Sequence, residues 1–563
     1  MSQQTASVPM PTARELAITR QARPPRFHLS TMGAMTFLLI FTLYFLIPFF
    51  WLLVSATKSQ SDLFGTFGLW FAPNFNLFSN LQQVFMMLAR FDGRQLSLEE
   101  VHRFPNRPVT LRGHRFWNIL GLWDETLAGL RKARQVAGTL DSIGVDTWGV
   151  DYGLVDAQGF LLGQPFQYRD SRTDGVMEQV FARVPREVLY ARTGIQFLPI
   201  NTLYQLCAHE RMQPGELGHA YRLLMIPDLL HSWLCGSLTT EQTNASTTQC
   251  WDPIARAWMT DLLNQLAIPT TMLPGVVEAG TVLGKVLLEL RDDLGEAQVV
   301  APATHDTGSA IVATPAQLSD GWGYISSGTW SLVGLELSRP VMTAEALAAN
   351  CTNEGGVFGT TRFLKNVMGL WLLQECQRRW KREGHCRDYD ALLADVDGVA
   401  PFATLIDPDD ARFLAPLDMP VAINAYLQEH GQTPLSAPAG FARCIMESLV
   451  LRYREVFHHI RRLAGTSISG VHILGGGARN VRLNQWLADA LDMPVIAGPY
   501  EATALGNALM QLVGLGELCS LEEVRFIAQN VPTQVFSPRT AQLAAWNEAA
   551  QRFGAMVSPT RVQ

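Results

Sequence analysis

The chain has 563 residues, which is more than one hydrophobic core organises and predicts three or four domain-sized units. Its composition, with 48% hydrophobic and 17% charged residues, is ordinary for a globular protein. The formal net charge of -7 indicates no basic surface for nucleic acid, so we expect no nucleic-acid partner. The cysteines include no C-x-x-C pair, which favours reduced thiols over a disulfide framework or a zinc site.

The first apolar segment is long enough to cross a membrane. No Asp, Glu, Lys or Arg lies between Arg26 and Lys58, and the apolar run "AMTFLLIFTLYFLIPFFWLLV" within that stretch exceeds the ~20 residues that a bilayer requires. A secretory signal is the alternative, but no small-residue cleavage site follows the run. We therefore predict one transmembrane helix at about residues 34–55.

The charges around this segment predict its orientation. Four arginines precede it, at positions 14, 20, 23 and 26, whereas Lys58 is the nearest cation after it. Because positively charged flanks stay on the cytoplasmic side, we expect a single-pass protein of the cell membrane with a cytoplasmic N-terminus.

Residues 1–85 resemble part of a membrane transporter. The stretches "LIPFFWLLVSATKSQSDLF" and "GLWFAPNFNLFSNLQQVF" are similar to the first helix of a sugar permease subunit of the ATP-binding-cassette importers. The further spans and the coupling loop of such permeases do not follow, so transport by this chain alone is not expected. The resemblance implies permease subunits as possible partners, and a non-catalytic membrane fragment is one alternative for the whole chain.

From Glu99 onward the pattern becomes that of an α/β protein, in which strand-length apolar runs alternate with helical patterns and glycine-rich turns. The stretch "SIGVDTWGVDYGLVD" predicts two strands that meet at a tight bend, with Asp146 and Asp151 facing it. A hairpin with satisfied carboxylates is the plainer interpretation. Close behind, Arg169 and Arg172 in "YRDSRT" are suited either to bind a polyol or to form a solvated ion-pair network.

The stretch "AQVVAPATHDTGSAIVA" predicts a buried strand followed by a helix of small residues. Asp306 stands between them, and as an N-cap it would satisfy backbone N–H groups at the start of the helix. The functional interpretation places a carboxylate at the carboxyl end of a strand, where α/β proteins bind ligands. There an aspartate accepts the proton of an attacking sugar hydroxyl during phosphoryl transfer. The residues alone leave both interpretations open.

Two further turns are suited to hold phosphate. In "GYISSGTWSLVG" a bend at residues 326–329 joins two strands and exposes N–H groups, although serine–glycine turns are common in hairpins. In "VHILGGGARN" a strand enters Gly475, Gly476 and Gly477, and a helix is predicted from about Ala478. Glycines at a helix start let a ligand approach the backbone amides.

Together and in this order, these stretches resemble the FGGY carbohydrate kinases. The resemblance runs from about Met87 to Phe536 through "IGVDTWGVDYGLVD", "YRDSRTDG", "GIQFLPINTLYQL", "THDTGSA", "SSGTWSLVG", "NEGG", "LKNVMGLWLLQ", "LGGGARN" and "AGPYEATALGN". It implies an actin-like ATPase fold of two ribonuclease-H-like domains, one at residues 86–313 and one at 314–540, with a tail at 541–563. The predicted fold class is therefore α/β, with these two domains preceded by one transmembrane helix.

The resemblance also implies a chemistry. ATP and Mg2+ would be the cofactors, and the γ-phosphate would pass to the 1-hydroxyl of the ketose L-rhamnulose in rhamnose catabolism, with a kinase of another ketose as an alternative. By motif, Asp306 is the expected catalytic base. The expected substrate residues are Gly149, Asp151, Arg172, His305 and Thr307, and the expected nucleotide residues are Thr329, Asn366, Gln374, Gly475, Gly476 and Gly477. Asn366 is assigned only loosely between the two sets, and no metal ligand is assigned.

One motif of that family is missing from its expected place. FGGY kinases begin with a strand and a D-x-G-A-S-S-G-R loop, which helps organise magnesium, clamps the phosphates and runs directly into V-M-L-A-R. Here "MLAR" stands behind the permease-like "NLFSNLQQVF", and no Asp-x-Gly occurs between Leu63 and Phe91. The stretch "LQQVFMMLARFDG" therefore predicts a junction at about residues 85–87, within a strand that ends in an Asp-Gly turn. We expect the chain to lack its first strand and half of its phosphate clamp, so that catalysis is impaired or lost.

Overall fold

The computed structural model describes residues 83–316, 321–384, 389–414 and 416–557. Within these ranges no helix is both long enough and apolar enough to cross a bilayer. On this finding the expected single-pass location in the cell membrane is wrong. The transmembrane helix predicted at about residues 34–55 lies outside the described residues, as does almost all of the permease-like segment.

The first lobe, residues 83–316, mixes short strands with helices. Its strands are β1 Gln83–Phe91, β2 Leu96–Pro105, β3 Pro108–Leu111, β4 His114–Trp117, β5 Ser142–Ile143, β6 Tyr152–Val155, β7 Arg222–Met225, β8 Thr240–Glu241, β9 Trp251–Asp252, β10 Ala257–Trp258, β11 Val276–Val277, β12 Thr281–Lys285 and β13 Gln298–Ala301. Its helices are α1 Ile119–Ala137, α2 Val176–Phe181, α3 Arg186–Thr193, α4 Thr202–Met212, α5 Glu216–His219, α6 Ile226–Cys235, α7 Gln242–Ala245, α8 Thr260–Gln265, α9 Arg291–Leu294 and α10 Asp306–Val312.

Two separate groups of strands matter for the site. β1 and β2 form an antiparallel hairpin, and the Asp92 carboxylate accepts the backbone N–H groups of Arg94 and Gln95 in its turn, which confirms the predicted strand and turn. β5 pairs in parallel with β13, which pairs in turn with β12. Within the described residues, no strand pairs with β1 on the side away from β2 or with β5 on the side away from β13.

The bend between β5 and β6 is not a hairpin, because β6 pairs with β7 and not with β5. The hairpin interpretation of this stretch is therefore wrong. Instead, the Thr147 N–H donates to the Thr304 carbonyl at 2.9 Å, and the Asp306 N–H donates to the Thr147 carbonyl at 2.8 Å. These two bonds bring the stretches around Asp146 and Asp306 together.

The second lobe, residues 321–557, contains the longer strands and helices. Its strands are β14 Trp322–Ser327, β15 Trp330–Leu337, β16 Thr352–Gly355, β17 Thr361–Met368, β18 Gly470–Leu474, β19 Val495–Ala497 and β20 Gln534–Phe536. Its helices are α11 Ala344–Ala348, α12 Trp371–Arg382, α13 Tyr389–Asp395, α14 Met419–Glu429, α15 Pro438–Ala464, α16 Val481–Leu491, α17 Ala502–Gly514, α18 Leu521–Ala528 and α19 Leu543–Met556.

The strands of the second lobe form one seven-stranded sheet in the order β16-β17-β15-β14-β18-β19-β20. β14 lies at its centre, antiparallel to β15 and parallel to β18. Both β14 and β18 are buried along almost their whole length, as expected of apolar strands that are covered on both faces. The 27-residue helix α15 contributes Phe441, Leu449 and Phe457 to the core beside the sheet.

The two lobes share an order of elements. In each, an antiparallel pair of strands is followed by a helix and then by two parallel strands: β1, β2, α1, β5 and β13 in the first lobe, and β15, β17, α15, β18 and β19 in the second. β14, which lies between β15 and β18, has no counterpart among the described strands of the first lobe.

Helices α10 and α17 join the lobes. Gly506 lies against the Ser309 carbonyl, and a methyl group at that position would overlap the oxygen, so glycine is required for this approach. On the next residue, Asn507 Nδ2 donates to the Asp146 carboxylate at 2.6 Å and to the Gly144 carbonyl at 3.2 Å.

Candidate active site

A cavity of about 2020 Å³ lies between the lobes and collects most of the residues that the sequence singles out. Those that line it are Gly149, His305, Asp306, Thr307, Thr329, Asn366, Gly475 and Gly476. Four expected residues do not belong to the described lining of this cavity, namely Asp151, Arg172, Gln374 and Gly477. The structure therefore brings the expected base together with part of each expected set of residues, while their roles remain predictions.

Asp306 is the first residue of α10, and the preceding His305 is the N-cap. The Asp306 atom Oδ1 accepts the Thr307 N–H at 2.5 Å and the Thr307 hydroxyl at 3.2 Å. Within the described residues no hydrogen bond reaches Oδ2, and 45% of the side chain is exposed. Burial between the lobes raises the pKa of Asp306, and the bonds from Thr307 oppose the rise. A carboxylate with a raised pKa and a free oxygen is suited to accept a proton.

His305 is enclosed by charged groups. Its Nδ1 lies 3.0 Å from Arg362 Nη2, and its Nε2 lies 3.5 Å from Asp306 Oδ1. Burial and the neighbouring guanidinium hold the pKa of His305 well below its usual range. The imidazole is therefore neutral at neutral pH.

Asp146 is a second carboxylate on the cavity wall. Burial raises its pKa from 3.8 to about 7, the hydrogen bond from Asn507 opposes the rise, and repulsion by Asp306 adds to it. The two carboxylates therefore belong to one electrostatic site, although Asp146 follows β5 and Asp306 begins α10.

Asp151 is a buried residue that hydrogen-bonds Trp117 and Trp148, the two side chains that form the aromatic wall of the cavity. Its Oδ2 accepts Trp117 Nε1 at 2.6 Å and Trp148 Nε1 at 3.0 Å, and its Oδ1 accepts Gln205 Nε2 at 2.9 Å. The indole rings lie 4.2 Å apart, and both line the cavity. Burial raises the pKa of Asp151 to about 6, opposed first by the bond from Trp117. Such a wall offers aromatic side chains to a small polyol.

Two other expected substrate residues lie near this wall. Arg172 stacks over the Phe166 ring at 4.1 Å and donates Nη2 to Gln205 Oε1 at 2.7 Å, so it supports the wall through that amide. Gly149 lies beside Thr247, and a Cβ at Gly149 would stand 3.0 Å from the threonine hydroxyl. The absence of a side chain there allows Thr247 to pack closely against the backbone.

On the second-lobe side, the turn between β14 and β15 meets the glycine loop that follows β18. A methyl group on Gly477 would overlap the Ser327 hydroxyl, so this contact requires glycine. Gly475 has φ 79°, a left-handed conformation that favours glycine. Thr329 lies in the adjoining turn, and its carbonyl accepts the Trp371 N–H at 3.2 Å. Ser327 Oγ is buried and has no hydrogen-bond partner within the described residues.

The helix after the glycine loop begins later than predicted. A short 3-10 turn, Gly476–Arg479, comes first, and α16 then starts at Val481 rather than near Ala478. The physical reason is the cap, because the Asn480 side chain accepts the Leu483 N–H at 3.0 Å and fixes the start of the helix there.

Asn366 and Gln374 have different surroundings. The backbone N–H and Nδ2 of Asn366 donate to Gln196 Oε1 at 2.9 and 3.1 Å, so Asn366 links the second lobe to the first. Gln374 lies in α12 with a buried side chain. A nucleotide contact for either residue stays a prediction.

Sequence reasoning missed several residues of this site. Trp148 and Gln196 stand inside motifs that carry the resemblance, yet no role was assigned to them. Trp117 and Arg362 lie outside the quoted motifs, and no local signal marks them. Both come to the site through strand pairing, at the end of β4 and within β17, which spacing along the chain does not reveal.

Family models match both lobes. Residues 103–313 match the N-terminal domain of the FGGY family of carbohydrate kinases, and residues 323–515 match its C-terminal domain. A rhamnulokinase from Pectobacterium carotovorum is 45% identical over 448 residues, which cover 79% of this chain and 88% of that protein. A rhamnulokinase from Bacteroides thetaiotaomicron is 40% identical over 470 residues, which cover 83% and 96%.

Solved structures share the fold. A xylulose kinase from Lactobacillus acidophilus superimposes with a TM-score of 0.71 at 15% identity, covering 84% of this chain and 95% of that one. A Plasmodium falciparum glycerol kinase with ADP superimposes with a TM-score of 0.65 at 13% identity, covering 83% and 98%. The predicted two-domain, actin-like ATPase fold is confirmed. The chain belongs to the FGGY family of carbohydrate kinases, as a kinase of the rhamnulokinase type.

Proposed function

We propose that this chain transfers the γ-phosphoryl group of ATP to the 1-hydroxyl of L-rhamnulose. The observation that carries the proposal is the Asp306 carboxylate, which lines the cavity between the lobes with Oδ2 unbound by any described residue. The names of the relatives support the choice of sugar. The domain limits at 86–313 and 314–540 and the tail at 541–563 belong to the same proposal.

The chemistry follows from the position of Asp306. Its Oδ2 takes the proton of the sugar hydroxyl while the hydroxyl oxygen bonds to the γ-phosphorus and the bond from that phosphorus to the β–γ bridging oxygen breaks. The raised pKa of Asp306 makes it a better proton acceptor near neutral pH. Gly149, His305 and Thr307 line the cavity and are the proposed sugar contacts, while Asp151 and Arg172 hold the aromatic wall.

The glycine loop is the proposed nucleotide site. Gly475, Gly476 and Thr329 line the cavity, and the backbone amides of the loop suit phosphate oxygens. Gly477 allows the close packing of the loop. Asn366 and Gln374 are proposed on the same side.

When bound, magnesium would neutralise charge on the phosphate oxygens. Within the described residues, no three His, Cys, Asp or Glu side chains gather into a metal site. Mg2+ needs only one or two carboxylates beside substrate phosphates and water, and Asp146 on the cavity wall fits that requirement.

The proposal has a second part, namely that transfer is impaired in this chain. The cavity extends along β1, where residues 84–91 line it, and along residues 141–146, which include β5. In the second lobe β14 occupies the corresponding place. The first strand and phosphate loop of FGGY kinases would fill this gap, and losing one preorganised set of donors costs ~10²–10³ in rate.

A coupled assay of ADP release tests both parts. With ATP, Mg2+ and L-rhamnulose, we expect slow turnover, at least about 10²-fold below the ~1–100 s⁻¹ typical of kinases. Product analysis should show phosphate on the 1-hydroxyl, and a panel of ketoses should favour L-rhamnulose. Turnover in the usual range would contradict the impairment, and a clear preference for another ketose would contradict the substrate.

A further inference from the structure

Arg362 reaches across the cleft to the residue beside the proposed base. It lies in β17 of the second lobe, whereas His305 precedes α10 in the first lobe. Arg362 Nη2 lies 3.0 Å from His305 Nδ1, and its side chain is fully buried. The contact therefore connects the lobes at the position where the sugar hydroxyl would react.

The chemistry of guanidinium decides which imidazole nitrogen carries the proton. Every Arg362 nitrogen is a donor and none accepts a hydrogen bond, so the facing His305 Nδ1 must be the acceptor. In a neutral imidazole the proton then resides on Nε2. That nitrogen faces Asp306, with 3.5 Å between Nε2 and Oδ1.

Glu354 is the competing partner. Its Oε2 lies 3.4 Å from His305 Nδ1 and would accept a hydrogen bond from an N–H at that nitrogen if Arg362 were absent. With Arg362 present, the shorter 3.0 Å contact belongs to the guanidinium, and Glu354 Oε2 lies 3.2 Å from Arg362 Nη1. Glu354 thus lies beside Arg362, and Arg362 makes the closer contact with His305 Nδ1.

Arg362 is rigidly held. It stands opposite Glu354 of β16 and Glu336 of β15 in the strand register, and its Nε donates to the Gly355 carbonyl at 2.8 Å. The register of three strands therefore determines where the guanidinium points.

We infer that Arg362 is a positioning residue, which fixes His305 as the Nε2–H tautomer so that this N–H is presented to Asp306 and the reacting hydroxyl. The inference deepens the proposed function and rests on the assignment of Asp306. A donor on Nε2 would hold the hydroxyl oxygen or the Asp306 carboxylate without taking the proton that the base must receive.

The tautomer of His305 is directly measurable. We would label the full chain with ¹⁵N-histidine and record long-range ¹H–¹⁵N spectra at neutral pH, in which an unprotonated ring nitrogen resonates well downfield of a protonated one. The imidazole signals that disappear from the spectrum of the His305→Gln variant are those of His305. We expect a neutral ring with the proton on Nε2, and a ring protonated on Nδ1 would overturn the inference without any further variant.

Variants then test the cause. In Arg362→Met we expect Nδ1 to gain a proton, directed at Glu354, while Arg362→Lys, which keeps a cationic donor, should retain the Nε2–H form. Arg525→Met is the matched control, because Arg525 is equally buried and pairs with Glu336 but does not contact His305. An unchanged His305 spectrum in Arg362→Met, or the same change in Arg525→Met, would overturn the inference.

The spectra do not depend on phosphoryl transfer. An Nε2–H tautomer in a chain that shows no transfer to L-rhamnulose would leave this inference standing and contradict the proposed function alone. A chain that transfers phosphate to L-rhamnulose but carries the His305 proton on Nδ1 would contradict the role of Arg362 and leave the proposed function intact.

Discussion

The two lobes assemble related sets of strands with different completeness. In the second lobe, β14 joins β15 to β18 and makes one continuous sheet. In the first lobe, the β1–β2 hairpin and the β5–β13 pair stand apart, and the facing edges border the cavity. Backbone groups left unpaired cost ~1–3 kcal/mol each when buried, and here they border an open cavity instead.

The difference shows that site residues need not depend on the central strand. One backbone hydrogen bond joins Asp306 to Thr147 beyond the end of β5, and Asn507 of the second lobe donates to the Asp146 carboxylate. The proposed loss of the first strand and its phosphate loop would therefore leave the proposed base in place.

We expect the largest effect on the rate of phosphoryl transfer from replacing the proposed base. Asp306→Asn removes the proton acceptor, and we expect the remaining transfer to L-rhamnulose to fall by about 10²–10⁴-fold. ATP affinity, which we assign to the second lobe, should stay the same in a binding titration. An equal loss of transfer and of ATP binding would contradict the assignment of the base to the first lobe and of ATP binding to the second.

Completing the first lobe should have the next largest effect. Replacing residues 74–82 by the strand and glycine–serine loop that open FGGY kinases should raise the rate of ADP release by about 10²–10³-fold. The same replacement combined with Asp306→Asn is the control and should gain nothing. A folded chimaera with an unchanged rate would contradict the view that the gap limits catalysis.

A smaller effect is expected where the second lobe is tightly packed. Gly477→Ala places a methyl group against Ser327, and we expect the free energy of unfolding in urea to fall by about 1–3 kcal/mol, with weaker ATP binding. Gly398→Ala is the control, because a Cβ there meets no atom within 4 Å. Equal stability of both variants would show that the glycine loop has room to adjust.

We expect the smallest effect on the pH dependence of the free energy of unfolding, through Asp146 of the first lobe. The folded chain holds the Asp146 proton more tightly than the unfolded chain, since burial raises the pKa from 3.8 to about 7. Its contribution to the free energy of unfolding is therefore greatest below pH 3.8 and decreases as pH rises to about 7. Because the side chain is only half-buried beside an open cavity, we expect a decrease of about 1 kcal/mol.

Urea unfolding on either side of that pH window measures this decrease. In Asp146→Asn the corresponding part of the pH dependence should disappear. An unchanged pH dependence in that variant would indicate that water reaches Asp146 freely through the gap.

The sequence was sufficient where a motif is local. The strand before Asp92 and the turn between β14 and β15 follow from short patterns, and the two-domain fold follows from the family resemblance, while the role of Asp306 stays a prediction. It was insufficient where contacts are long-range. Arg362 depends on the register of three strands, and the supposed hairpin at Asp146 failed because β5 pairs instead with β13, far along the chain.

The membrane location failed for a different reason. It was inferred from the apolar run and its flanking charges alone, and the described residues contain no helix that supports it. Hydropathy reports on one segment, whereas the family assignment rests on both lobes.

The contact between Gly506 and Ser309 has a mechanical consequence. Two helices that meet backbone to backbone, one from each lobe, have no side chain between them to yield when the lobes move. A contact of this kind resists sliding, so we predict that any opening of the cleft occurs by rotation about it. Two hydrogen bonds flank this contact, from Asn507 to the Asp146 carboxylate and from the Thr503 hydroxyl to the Asp306 carbonyl, and we expect these residues to shift least if the cleft opens.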